Sequence, residues 1–227
     1  MNGPAKNALG SEMMEFLRRE LERARGAPVL LTGTDDAFSA GLNLKEVAAL
    51  DPSAAESFLR KLEAVYEAWF TYPAPTVAAV NGHAIAGGCL LAMACDVRVC
   101  ARAANIRIGV NEVALGLPFP PGILRMAQML FPPQHVTEAV LGAGLYSPEG
   151  AMRLGFVDEL ADDPLAVARE RLAALSRHPV EGYARVKRSL RGAVFRQPGD
   201  DESLRQILPA WTSPGLKERI GALFKKK

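Results

Sequence analysis

At 227 residues the chain can form one α/β domain with an appendage and bury a sizeable core, but it is too short for two independent enzymatic domains. Its 27 Lys and Arg against 25 Asp and Glu leave a net charge of +2, which supplies no field for holding nucleic acid. Three cysteines, Cys89, Cys95 and Cys100, lack Cys-x-x-Cys spacing, which argues against a disulfide framework or a zinc site and for small thiols in a reducing, cytoplasmic setting.

In chain order, Ser11 to Arg25 places Met13, Met14, Leu17 and Leu21 on one helical face, and Gly26 and Pro28 stop the helix. Val29 to Gly33 reads as a short buried strand. Ser53, with Glu56 three residues on, predicts a capping box for a second amphipathic helix. That helix carries Phe58, Leu59, Leu62, Val65, Tyr66 and Trp69 on its apolar face and ends before Pro73. Thr76 to Val80 reads as the next strand, Asn81-Gly82 as a turn, and Ala86-Gly87-Gly88 as a bend opening a helix to about Ala94. The apolar run from Ala84 to Cys95 is broken by glycines and falls short of the roughly 20 residues that span a bilayer. No signal peptide is expected ahead of it.

Val97 to Val99 and Ile106 to Ile108 predict further strands, and the alternation with helices predicts an α/β fold with parallel strands. Beyond Pro148, at a helix N1 position after Ser147, the pattern is mostly helical. Asp162-Asp163-Pro164 divides a core of residues 1–162 from a helical region of residues 163–227. Lys225-Lys226-Lys227 reads as a solvated tail, and no internal repeat is evident.

Two features carry chemistry. A Gly-rich bend can aim backbone N–H groups at a developing oxyanion, and the lone carboxylate of Glu112, in Asn111-Glu112-Val113, can move a proton beside a carbonyl. Taken singly, each has a plainer explanation: Gly87 and Gly88 permit close helix packing, and an isolated glutamate is usually solvated. Ala86-Gly87-Gly88 is not the Gly-x-Gly-x-x-Gly of a dinucleotide site. His83, His135 and His178 are too scattered to suggest a metal, and Lys45 reads as a solvated helical lysine that could approach a phosphate.

Three segments in order, Phe38-Ser39-Ala40-Gly41-Leu42-Asn43-Leu44, Asn81 to Leu91 and Asn111 to Gly116, resemble the crotonase (enoyl-CoA hydratase/isomerase) superfamily. Their wording is most similar to the mitochondrial-type Δ3,Δ2-enoyl-CoA isomerases, and the similarity runs from about Asn7 to the C-terminus, thinning after Asp158. The resemblance implies a crotonase-like ββα spiral whose C-terminal helical region packs in trimers, singly or paired. It also implies two strands ahead of a Pro-x-x-Asn-Ala-Leu segment. Here that segment is Pro4 to Leu9, almost at the first residue, so the expectation is either a start placed too late or N-terminal strands that are shortened, and a true loss would expose a sheet edge that needs cover.

By the same resemblance the oxyanion donors are the N–H groups of Leu42 and Gly87, and Glu112 is the sole acid/base. Ala40, Gly41, Leu42, Asn43, Leu44, Gly87 and Asn111 align with substrate-binding positions. Asn43 replaces the usual aspartate. Leu90 stands where hydratases carry a second glutamate, which leaves proton transfer from carbon 2 to carbon 4 of a 3-enoyl thioester as the expected reaction. Phe119-Pro120-Pro121-Gly122 is expected to shape the acyl pocket. The partner implied is an acyl-CoA thioester, with no metal, no further cofactor and no membrane. Other readings within the fold are a hydratase, a decarboxylase, a thioester hydrolase, or a non-catalytic acyl-CoA-binding paralogue.

Overall fold

The computed structural model describes residues 1–225; Lys226 and Lys227, and with them most of the expected basic tail, lie outside the described residues. Seven strands form two parallel sheets, with β1 (Val29–Thr32), β3 (Thr76–Val80), β5 (Val97–Ala101) and β7 (Glu159–Ala161) side by side in that order. The smaller sheet has the order β2 (Ala37–Ser39), β4 (His83–Ile85), β6 (Ile108–Gly109). Each strand of the first sheet up to β5 is followed by one of the second and then by helix. This strand–strand–helix unit occurs three times in space, with Pro52–Phe70, Gly87–Ala94 and Pro121–Leu130 as its principal helices. No sequence repeat marks it, because each turn of the spiral meets different neighbours.

The strands of the larger sheet are short apolar runs, and all five residues of β3 are buried. Those of the second sheet have only two or three residues. β2 and β4, together with β7, are absent from the sequence expectations because three residues carry no usable alternation. Of the predicted Ile106–Ile108 strand, only Ile108 falls within β6.

The first long helix spans Ser11–Ala24 and stops where Arg25 and Gly26 turn left-handed. The predicted Ser53 capping box does not form. The helix starts one residue earlier at Pro52, Asp51 accepts from the Ala54 N–H, and Glu56 binds Arg60 instead. Asp51 wins because proline at N1 presets the first turn and leaves the preceding carboxylate facing the free N–H groups. Ser147 does cap the Pro148–Leu154 helix through Gly150.

The segment from Pro4 to Leu9 covers the edge at β2. Ala5, Lys6 and Asn7 form a left-handed turn, and buried Asn7 donates to Ala37 O and Phe38 O while accepting from Ser39. Leu9 then pairs beside Leu42, taking the N–H of Asn43 and donating to Gly41 O. The principal core gathers Trp69, Tyr66, Phe70, Phe38, Leu91 and Met93 around these elements. The Pro164–Leu175 helix lies on the larger sheet, where Ala168 meets a smaller core of Val77, Ala79, Val99 and Ala161.

Candidate active site

The Gly87–Ala94 helix enters the core immediately after β4, and its first residues are nearly touching the loop after β2. A Cβ on Gly88 would lie 2.5 Å from Ser39 O, and one on Gly41 would lie 2.7 Å from Ile85 O and 3.5 Å from the Gly87 nitrogen. Only glycines let these two segments approach so closely, and Gly41 also has φ +88°. Ala86, with φ 52° and ψ −127°, holds a conformation normally left to glycine. Strain of this kind persists where the surrounding fold imposes it, here one residue ahead of the proposed oxyanion donor.

Gly87 is the first residue of its helix, so its N–H has no acceptor within the helix and sits at the positive end of the dipole. The ladder beside Leu42 uses the carbonyl of Gly41 and the N–H of Asn43, leaving the Leu42 N–H out of the pairing. Asn43 caps the Leu44–Ala49 helix by accepting from the Glu46 N–H, a task that aspartate would perform equally. Glu46 in turn accepts from the N–H and hydroxyl of Ser11, which joins the loop to the first long helix.

Leu42 and Gly87 line a narrow cavity, with room for little more than a water molecule, together with Leu90 and Glu112. Glu112 is the only carboxylate in that lining; it is 6% exposed, and its Oε2 has no hydrogen-bond partner among the described residues. Burial pushes its carboxyl up to about 7, against a smaller downward pull from the backbone N–H groups of Glu112 and Asn111. A group poised there can both take and return a proton near neutral pH. Activity that depends on the carboxylate should therefore rise with pH through about 7 and level off above it, which a pH profile of kcat/KM would check.

The remaining wall was missed by sequence reasoning. Leu62 and Tyr66 come from the Pro52–Phe70 helix, Ile123 from the Pro121–Leu130 helix, and Trp211 from the Asp200–Trp211 helix. Tyr66 donates to Gly87 O at 2.6 Å, and burial, with the neighbouring Glu112 charge, raises its phenol further. The signal was a lone hydroxyl in an otherwise apolar stripe, since a buried phenol must find an acceptor. Phe119 and Pro120 do line the cavity, as expected of that loop. Ala40, Gly41, Asn43, Leu44 and Asn111 belong to the adjoining loops and helix starts, outside the lining itself.

The other candidates have structural partners. His83 Nδ1 accepts from the Arg107 N–H, and the Lys45 ammonium lies 6.0 Å from the centre of the Phe224 ring. The three cysteines are free and buried, with their thiols pushed up by burial.

A family model described as "Enoyl-CoA hydratase/isomerase" matches residues 1–204. The chain belongs to that family. Its crotonase-type members include the protein named "Probable enoyl-CoA hydratase EchA14" of Mycobacterium tuberculosis, 35% identical over 193 residues covering 83% of this chain and 75% of that one. "Enoyl-CoA delta isomerase 1, mitochondrial" of the mouse is 30% identical over 169 residues, 72% of this chain and 58% of its own. Among solved structures, human mitochondrial Δ3-Δ2-enoyl-CoA isomerase superposes with a TM-score of 0.92 at 23% identity, over 99% of this chain and 90% of that one, a likeness of fold. The enoyl-CoA hydratase/isomerase family thus accounts for the spiral, its helical C-terminal region and an enzymatic role on acyl-CoA. No helix among the described residues is long and apolar enough to cross a membrane.

Proposed function

We propose that this enzyme isomerises 3-enoyl-CoA thioesters to 2-enoyl-CoA, with Glu112 as its single acid/base. The observation that carries the reading is the pairing of one buried, unpartnered carboxylate with an apolar neighbour, Leu90, which is 2% exposed in the same wall. Glu112 takes a proton from carbon 2, and the electron pair moves onto the thioester oxygen to give a dienolate. The N–H groups of Leu42 and Gly87 bind that oxygen, each such donor contributing about 3 kcal/mol to the transition state. The protonated Glu112 then returns the same proton at carbon 4 as the double bond settles between carbons 2 and 3. No water enters the balance, and an apolar wall protects the dienolate from side reactions.

Hydration would need a water held and activated, and leucine offers it no acceptor. Relatives named as hydratases make this the competing reading. 3-Hexenoyl-CoA and crotonyl-CoA, followed by thioester absorbance and product mass, separate the two. Conversion of the first without change in mass, with crotonyl-CoA left unhydrated, is the expected result. A product one water heavier, formed from crotonyl-CoA at a comparable rate, would overturn it.

The loop of Ala40, Gly41, Asn43 and Leu44 adjoins Leu42 and would hold the thioester by backbone contacts, with Asn111 approaching from the helix start of Glu112. A homotrimer, alone or paired, would cover Val180, Val186 and Leu190, which stand about 60% exposed on the Val180–Arg191 helix.

A further inference from the structure

Gly87 carries an N–H assigned to the oxyanion, and glycine is the residue least able to hold an N–H in one direction by itself. Its size is imposed, since a Cβ there would lie 3.0 Å from the Tyr66 hydroxyl and 3.3 Å from both Leu42 Cδ2 and Leu9 Cδ1. Its direction has to come from the groups around it. The Ala86 N–H donates to Gly109 O at 2.7 Å, which ties the bend to the strand that leads toward Glu112. Ala86 O accepts from the Leu90 N–H at 3.1 Å, and so turns the N–H of the same planar peptide, that of Gly87, out of the helix end. The third tie comes from another element: Tyr66, on the Pro52–Phe70 helix, donates to Gly87 O at 2.6 Å.

Tyr66 is 1% exposed and stands in the same wall as Glu112 and Leu42, yet its proton is given to the Gly87 carbonyl. Burial, and after it the Glu112 charge, raises the phenol, so the hydroxyl stays protonated and remains a donor near neutral pH. A donor used in this way does not partner Glu112, whose Oε2 has no hydrogen bond among the described residues. Resting on the oxyanion donors of the isomerase reading, we propose that Tyr66 is a positioning residue: its hydroxyl holds Gly87 so that the Gly87 N–H is aimed at the thioester oxygen before charge develops there. Without that bond Gly87 is tied through Ala86 alone, and glycine's own torsions are free to let the donor drift.

The test is Tyr66→Phe in the full chain. Phenylalanine keeps the ring and removes one neutral hydrogen bond, a loss that leaves the fold standing, as a thermal melt would check. Infrared spectra of bound hexanoyl-CoA, isotopically labelled at its thioester carbonyl, read the oxyanion donors without turnover, because a saturated chain has no double bond to move. The wild type should lower that carbonyl stretch relative to the free thioester, and Tyr66→Phe should give back a large part of the lowering. With 3-hexenoyl-CoA, kcat should fall by about ten- to a hundredfold in the variant while KM stays close to its wild-type value. A carbonyl shift unchanged in the folded variant would overturn the assignment whatever the rate, as would a wild-type kcat with a raised KM, the mark of a residue that only packs against substrate. No lowering in the wild type would overturn both the oxyanion donors and the role of Tyr66. A lowering lost in Tyr66→Phe, when neither form isomerises 3-hexenoyl-CoA, would sink the isomerase reading and leave Tyr66 in its place.

Discussion

Glu112→Gln should lower the isomerisation rate by about 10² to 10⁴-fold, with kcat and kcat/KM falling together and acyl-CoA affinity retained. Glutamine keeps the shape of the side chain and removes the proton acceptor, so the loss measures acid/base work directly. Full activity in this variant would remove Glu112 from the mechanism. The same substitution has a signature in stability. The folded-state carboxyl is raised from 4.5 to about 7, so the native protein binds this proton more tightly than the unfolded chain does. Its contribution is fully present below pH 4.5 and is lost as pH rises to about 7, a loss on the order of 3 kcal/mol. Thermal melts between pH 4.5 and 8 should show that decline in the wild type and not in Glu112→Gln.

Asp96→Ala should cost about 3 to 5 kcal/mol in urea unfolding, because it strands the buried Lys187 ammonium and the partly buried Arg191 guanidinium. Asp96 accepts from the Thr76 N–H, the Tyr183 hydroxyl, the Lys187 ammonium and the Arg191 guanidinium, at 2.7 to 2.8 Å. Lys187 is the only residue of the Val180–Arg191 helix that is fully buried, so this helix is held by charge more than by apolar surface. Arg191 adds a stacking contact, 4.5 Å above the centre of the Phe70 ring, and a bond to Phe70 O. Burial already lowers the Lys187 ammonium, against the pull of Asp96. Lys187→Met should therefore be far milder than Asp96→Ala, since it removes a buried charge and leaves Asp96 paired with Arg191. A loss below about 1 kcal/mol in Asp96→Ala would show that the helix is held by other means.

The sequence was readable where burial imposes a period. The Ser11–Ala24 helix shows its apolar stripe, β1 and β3 announce themselves as apolar runs between prolines and glycines, and β5 shows through the β-branched pair Val97 and Val99. β2 and β4 did not, since Ala37-Phe38-Ser39 and His83-Ala84-Ile85 are too short for any period and are flanked by residues chosen for close backbone approach. For the site, Leu42, Gly87 and Glu112 could be picked out only because three motifs occur in order. Nothing local to Glu112 separates a buried base from a surface glutamate. Tyr66 and Trp211 were hidden for a different reason. Both look like ordinary core aromatics until the spiral brings their helices to the same cavity.

Every ladder joins strands that are not neighbours in the chain: β1 with β3, β2 with β4, and onward to β5 with β7. Among the described residues no hairpin joins the strands of either sheet, so each pairing must close a long loop, which slows folding. The order of synthesis then gives the site a history. A nascent chain that has emerged as far as residue 190 already contains Leu42, Gly87 and Glu112 but lacks Trp211. Before the last helices dock, it would display an open apolar cleft around a charged carboxylate, a surface for chaperones to shield until synthesis ends.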